Sequence, residues 1–227
     1  MKRHLFLAII TTAVVLWVST IASAITITTP PGATMDGLPV NVTADFLFGN
    51  GTITITVNNL VENPKSIIQN LSDLGFTLST GQTEGTLTSS SATIRTISAG
   101  GSFSDGSGET GWELAENVTF SFGTGLELYV LGTDVGPEHT LIGLPGPNGY
   151  TNSNPSITGN SHEPVIFNAT FILSVPGVNQ NTTLTNVEWS FGTEGAVLPV
   201  PEPTTLILLG VGLIGLAGFG RKKFFKK

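Results

Sequence analysis

The sequence predicts an all-β fold: a single, jelly-roll-like β-sandwich at residues 25–195, set between two apolar end segments of a different kind. Three observations predict it. Short runs alternate apolar and polar residues with period two. These runs are rich in Thr, Val, Ile and Phe. Clusters of Gly, Asn and Ser bound them.

The elements follow in order. Ala44, Phe46 and Phe48 share one strand face, and Ile53, Ile55 and Val57 alternate with Thr52, Thr54 and Thr56. Phe48-Gly49-Asn50-Gly51-Thr52 reads as the hairpin between them. Val118, Phe120 and Phe122 precede a turn at Gly123-Thr124-Gly125, and Leu126, Leu128 and Val130 follow it. The longest run is Phe167, Ala169, Phe171, Leu173 and Val175, and Val187, Trp189 and Phe191 close the series. The weak helix candidates are Lys65–Leu71 and Gly111–Glu116. Ala99–Gly111 and Gly132–Glu163 read as long loops. No fixed repeat period points to a β-helix.

Composition narrows the function. The 227 residues carry 9 Lys+Arg against 16 Asp+Glu, a net charge of −7, with 11% charged residues and no cysteine. A disulfide scaffold and a Cys-based zinc domain are excluded. Between Ile25 and Pro199 only Lys65 and Arg95 are basic, against fifteen acidic residues, a balance of −13. That part of the chain is a poor partner for nucleic acid and suits cations or neutral sugars.

Residues 1–24 read as a secretory signal peptide. Lys2, Arg3 and His4 form a basic start, and Leu5 to Val18 is apolar apart from two threonines. Ala22-Ser23-Ala24 gives the small-x-small pattern that signal peptidase cuts after passage through the secretion translocon.

The other end has three parts. A linker (196–203) contains Pro201-Glu202-Pro203. An uncharged stretch (204–220) is about 26 Å long as a helix, the short limit for a transmembrane span. A basic tail (221–227) holds Arg221, Lys222, Lys223, Lys226 and Lys227, a topology signal that places it in the cytoplasm and the helix in the inner membrane. The two prolines fix φ and remove two donors, so the motif stays extended ahead of the helix.

This layout resembles the PEP-CTERM sorting signal, in which a Pro-Glu-Pro motif precedes one hydrophobic helix and a short Arg/Lys-rich end. Pro201-Glu202-Pro203, Leu206–Gly220 and Arg221–Lys227 match the three parts in order. The resemblance implies recognition by an exosortase, a membrane-embedded transpeptidase-like enzyme with a Cys nucleophile that cuts near the motif. The same tail is also described as the C-terminal region of ice-binding proteins, which describes the tail and not the passenger.

The passenger offers little chemistry. There is no GxSxG, and His162-Glu163-Pro164 is not HExxH. His139 and His162 are expected on loop surfaces. Asp105-Gly106-Ser107-Gly108-Glu109 is the calcium candidate, with Asp105 and Glu109 as ligands, although the EF-hand spacing is missing. Trp112 and Tyr150 are the candidate glycan contacts. Glu113 and Glu116 are the pair that a hydrolase would need. The reading that asks least is a non-enzymatic, exported structural or adhesive protein of the cell surface or extracellular matrix, in contact with exopolysaccharide. A carbohydrate-binding module is the alternative, and a secreted hydrolase ranks behind it.

Overall fold

The computed structural model describes residues 24–159 and 164–198. The expected signal segment up to Ser23, the apolar stretch 204–220 and the basic tail lie outside these residues, as do His162 and Glu163. No helix among the described residues is long and apolar enough to cross a membrane.

The described chain is mostly strand. In order these are β1 (Ala24–Thr28), β2 (Thr34–Met35), β3 (Leu38–Pro39), β4 (Val42–Phe48), β5 (Thr52–Asn59), β6 (Leu71–Leu78), β7 (Thr86–Ile97), β8 (Phe103–Gly108), β9 (Glu113–Phe120), β10 (Gly123–Tyr129), β11 (Val165–Ser174), β12 (Leu184–Phe191) and β13 (Ala196–Leu198). A six-stranded sheet has the order β1-β4-β5-β11-β7-β8, and a five-stranded sheet the order β13-β12-β6-β10-β9. All pairings in both are antiparallel.

Alternation explains how the sheets pack. Phe46, Ile55 and Phe171 from one sheet and Leu74, Phe76, Leu128 and Trp189 from the other are fully buried in one cluster. The Phe46 and Phe76 rings meet edge-on across the layers at 5.3 Å. The intervening Thr residues of β5 stay partly exposed, as period two requires.

Four local expectations change. Lys65–Leu71 forms only a 3₁₀ turn at Ile67–Gln69 before β6 begins. Gly111–Glu116 is not helical: β9 starts at Glu113 and pairs with β10. The β9–β10 turn falls at Ser121-Phe122, because Phe120 pairs with Gly123 and Thr119 with Thr124. Ala99–Gly111 is not a loop throughout, since Phe103–Gly108 forms the edge strand β8 against β7. Its neighbour supplies the ladder that Gly and Ser alone would not favour.

The long connection from β10 to β11 is partly buried. Leu141 and Leu144 bridge to Leu71, Ile166 and Glu62. Ile142, Tyr150 and Ile157 pack with Ile97 and Val165 in a second cluster. Asn59, 1% exposed, donates to Gln69 O and Leu141 O and so ties this segment to the 3₁₀ turn.

Candidate functional site

Arg95 anchors the second cluster. It lies on β7 directly opposite Asp105 on β8. Its Nε donates to Asp105 Oδ1 at 2.7 Å and its Nη2 to Oδ2 at 2.8 Å. Nη1 donates to the Tyr150 hydroxyl at 2.6 Å, which donates on to Gly143 O at 2.9 Å. The guanidinium carbon is 4.1 Å from the ring centres of both Phe103 and Phe167. A bulge at Asn168 (φ +54°) breaks the β11–β7 register beside Phe167.

This arrangement relocates two expected site residues. Tyr150 is 1% exposed and offers no ring face to a sugar. Asp105 sits on a strand, and Arg95 occupies both of its oxygens and holds its carboxyl below the usual range. Calcium there would have to displace a guanidinium. Glu109 is exposed just past the end of β8. No group of three or more metal-ligating side chains forms among the described residues.

Trp112 is also a core residue. It is 4% exposed, lies 5.4 Å from the Phe171 ring, and donates from Nε1 to His139 O at 2.9 Å. His139 is half-buried, has φ +57°, and donates from Nδ1 to Thr110 O at 2.7 Å. The two residues brace the β8–β9 connection against the long segment, so His139 is more than a surface loop residue. Trp112 forms part of the lining of an open cleft of about 360 Å³ with Ser89, Ser90, Glu109, Glu113 and Asp134. Glu113 and Glu116 have separate partners: Glu113 accepts from the Tyr129 hydroxyl at 2.8 Å, and Glu116 from Gly85 N at 2.5 Å. The first bond pushes the Tyr129 phenol above its ordinary range.

The outer faces of the two sheets differ chemically. On the five-stranded sheet, Glu127 and Glu188 flank Gly75 in one row across β10, β6 and β12. Asp73 stands one row away, between Tyr129 and Ser190. Burial first, then Asp73 and Glu188, push Glu127 up to about 7. Burial also raises Asp73 and Glu188. The six-stranded sheet presents Thr26, Asp45, Thr56, Thr170 and Ser91 in one row. Leu47, Thr54, Ile172 and Ser89 form the next. Asp45 accepts a hydrogen bond from the Thr26 hydroxyl and is the ionisable group of these two rows.

The C-terminal end of the fold is β13. It pairs with β12 through Phe191↔Ala196, Ser190↔Val197 and Trp189↔Leu198. Residues 199–222 match the family model for the PEP-CTERM protein-sorting motif. The chain carries a PEP-CTERM sorting motif. The match contains Pro201, Glu202, Pro203, Arg221 and Lys222, and Lys223, Lys226 and Lys227 follow it. No curated protein and no solved structure gave a match.

A PEP-CTERM motif implies an exosortase as the processing partner, and export with membrane-associated sorting. The motif begins at Pro199, the residue after the last paired residue of β13. At the other end, Ala24 is exposed and opens β1 opposite Leu47. Ala22 lies outside the described residues.

Proposed function

We propose that this is an exported bacterial surface or extracellular-matrix protein whose passenger is a single jelly-roll-like sandwich without catalytic activity. The signal peptide at residues 1–24 is removed after Ala24. The helix at 204–220 then holds the chain in the inner membrane with Arg221–Lys227 inside, until the exosortase acts near Pro201-Glu202-Pro203. The observation that carries this reading is the PEP-CTERM match at 199–222, directly behind the last strand. Replacing Pro201 and Pro203 with Ala in a host with exosortase tests it. Loss of the size change on a blot is expected, and unchanged size and location sink the reading.

The passenger's role is structural or adhesive. The outward rows of the six-stranded sheet carry six hydroxyl residues beside one carboxylate, Asp45, and two exposed apolar residues, Leu47 and Ile172, and support contact with a neutral exopolysaccharide, whose hydroxyls exchange hydrogen bonds and whose ring faces are apolar. This is the carbohydrate-binding reading moved from buried aromatics to a polar face. The hydrolase reading ranks lower, because Glu113 and Glu116 are engaged with different partners.

A further inference from the structure

β13 is three residues long, lies at the edge of its sheet and has β12 as its neighbour. Val197 at its centre is 48% exposed. The turn that leads into it is Gly192-Thr193-Glu194-Gly195, with φ of +76° at Gly192 and +62° at Gly195. Gly192 N donates to Asn70 O at 2.9 Å, which pins the start of the turn to the body of the fold.

We propose that β13 unzips from β12 when the exosortase engages the sorting motif, and that this release supplies the reach the enzyme needs. The inference rests on the exosortase reading above. Leu198 is still paired opposite Trp189, and Pro201 opens the Pro-Glu-Pro three Cα steps later. Three extended steps span about 10 Å. Two packed sheets are already about 10 Å apart, before outward side chains are counted. A reach no longer than the sandwich is thick leaves a membrane-seated enzyme little clearance around the residues ahead of the motif. Released back to Gly192, the chain offers nine steps, about 30 Å. The two states also exclude each other, since the backbone groups of 196–198 that pair with β12 are those an extended-substrate groove would bind.

The chain has no cysteine, so a disulfide can be placed without competition. Ser190 and Val197 are directly opposed. Opposed Cβ atoms lie about 4.5–5.5 Å apart, near the disulfide span of about 3.5–4.5 Å. The full-length Ser190→Cys/Val197→Cys variant is expressed in an exosortase-bearing host and followed by blot, with and without reductant. The oxidised form is expected to remain full-size at least tenfold longer than the parent chain, with reductant restoring processing and each single variant behaving as the parent. A six-residue Gly/Ser insertion between Pro199 and Val200 is expected to restore processing of the stapled form. Normal processing of the stapled form, or failure of the insertion to rescue it, overturns the proposal. If the staple does not form, the insertion in the parent chain decides: faster processing supports release, and an unchanged rate overturns it. The Pro201→Ala/Pro203→Ala variant separates the two ideas. If that variant is processed normally, the exosortase reading falls. If it is blocked while the stapled form is cut normally, only unzipping falls.

Discussion

The Phe120 ring covers Gly75. A Cβ at Gly75 would stand 2.5 Å from Phe120 Cε1 and 2.7 Å from Cζ. Phe120, 8% exposed, reaches from the end of β9 across to Gly75, the middle position of the Glu127–Gly75–Glu188 row. This covering contributes to the burial of Gly75, and the place of β6 at the centre of its sheet, between β12 and β10, shields the rest of the strand.

Gly75→Ala is expected to displace the ring and destabilise the passenger by about 1–3 kcal/mol, as overpacking does. Phe120→Ala in the same background should recover part of that loss, because the clash then has no partner. Thermal melts of the four variants measure the coupling, and strict additivity contradicts the packing described.

Stability should fall as pH rises from about 4.5 to about 7. Glu127 is raised to about 7 by burial and then by Asp73 and Glu188. The folded state therefore holds a proton that the unfolded chain releases near 4.5, and stability drops as pH climbs through that window and levels off above it. Glu127 is only about half-buried, so solvent screening reduces the effect to about 1–2 kcal/mol. Glu127→Gln should flatten the curve between pH 5 and 8 in denaturant titrations. An unchanged slope contradicts the raised Glu127 carboxyl.

Asp105→Asn should weaken the Arg95 centre in the opposite pH sense. Asp105 titrates below its usual range, so its contribution is present at neutral pH and lost as pH falls through the acid range. At neutral pH the variant is expected to lose about 1–2 kcal/mol, because Asp105 is 38% exposed and the amide keeps one acceptor for Arg95. Arg95→Ala should cost more, about 3–5 kcal/mol, since it removes the buried cation and its stacking between Phe103 and Phe167. Equal losses for the two variants would contradict this ranking.

Trp112→Ala should unfold the passenger more readily, by about 3–5 kcal/mol. It should change polysaccharide retention only through that loss of fold. By contrast, Thr54→Glu with Thr170→Lys places charge on the two partly exposed outward rows without setting like charges opposite one another. This pair is expected to leave the melting temperature within a few degrees and to reduce retention on neutral polysaccharide. Co-sedimentation with the polysaccharide separates the two effects.

Much of the β architecture was legible where apolar residues alternate with threonine, as in Thr52–Val57, and where β11 and β12 run clean. β7 and β8 were harder to read. Ser89-Ser90-Ser91 and Ser104-Asp105-Gly106-Ser107 resemble loop, and only pairing with neighbours makes them strands. Trp112 and Tyr150 misled for a related reason. Glycine-rich surroundings suggest exposure, yet those glycines let the chain fold back over the rings. Gly101 approaches Tyr150 so closely that a Cβ would lie 2.8 Å from its carbonyl. The carboxylate cluster was invisible, because Asp73, Glu127 and Glu188 are distant in the chain and come into adjacent rows only through register. The sorting motif was fully legible, since its parts are contiguous.

The contrast between the two sheet faces also has an electrical consequence. Carboxylates gather on one outer surface and hydroxyls on the other, so the passenger carries a dipole across its thickness. In a field, or beside a charged polymer, such a body orients. Acidification removes more charge from the face that carries Asp73, Glu127 and Glu188 than from the face that carries Asp45, so local pH sets how strongly the molecule aligns.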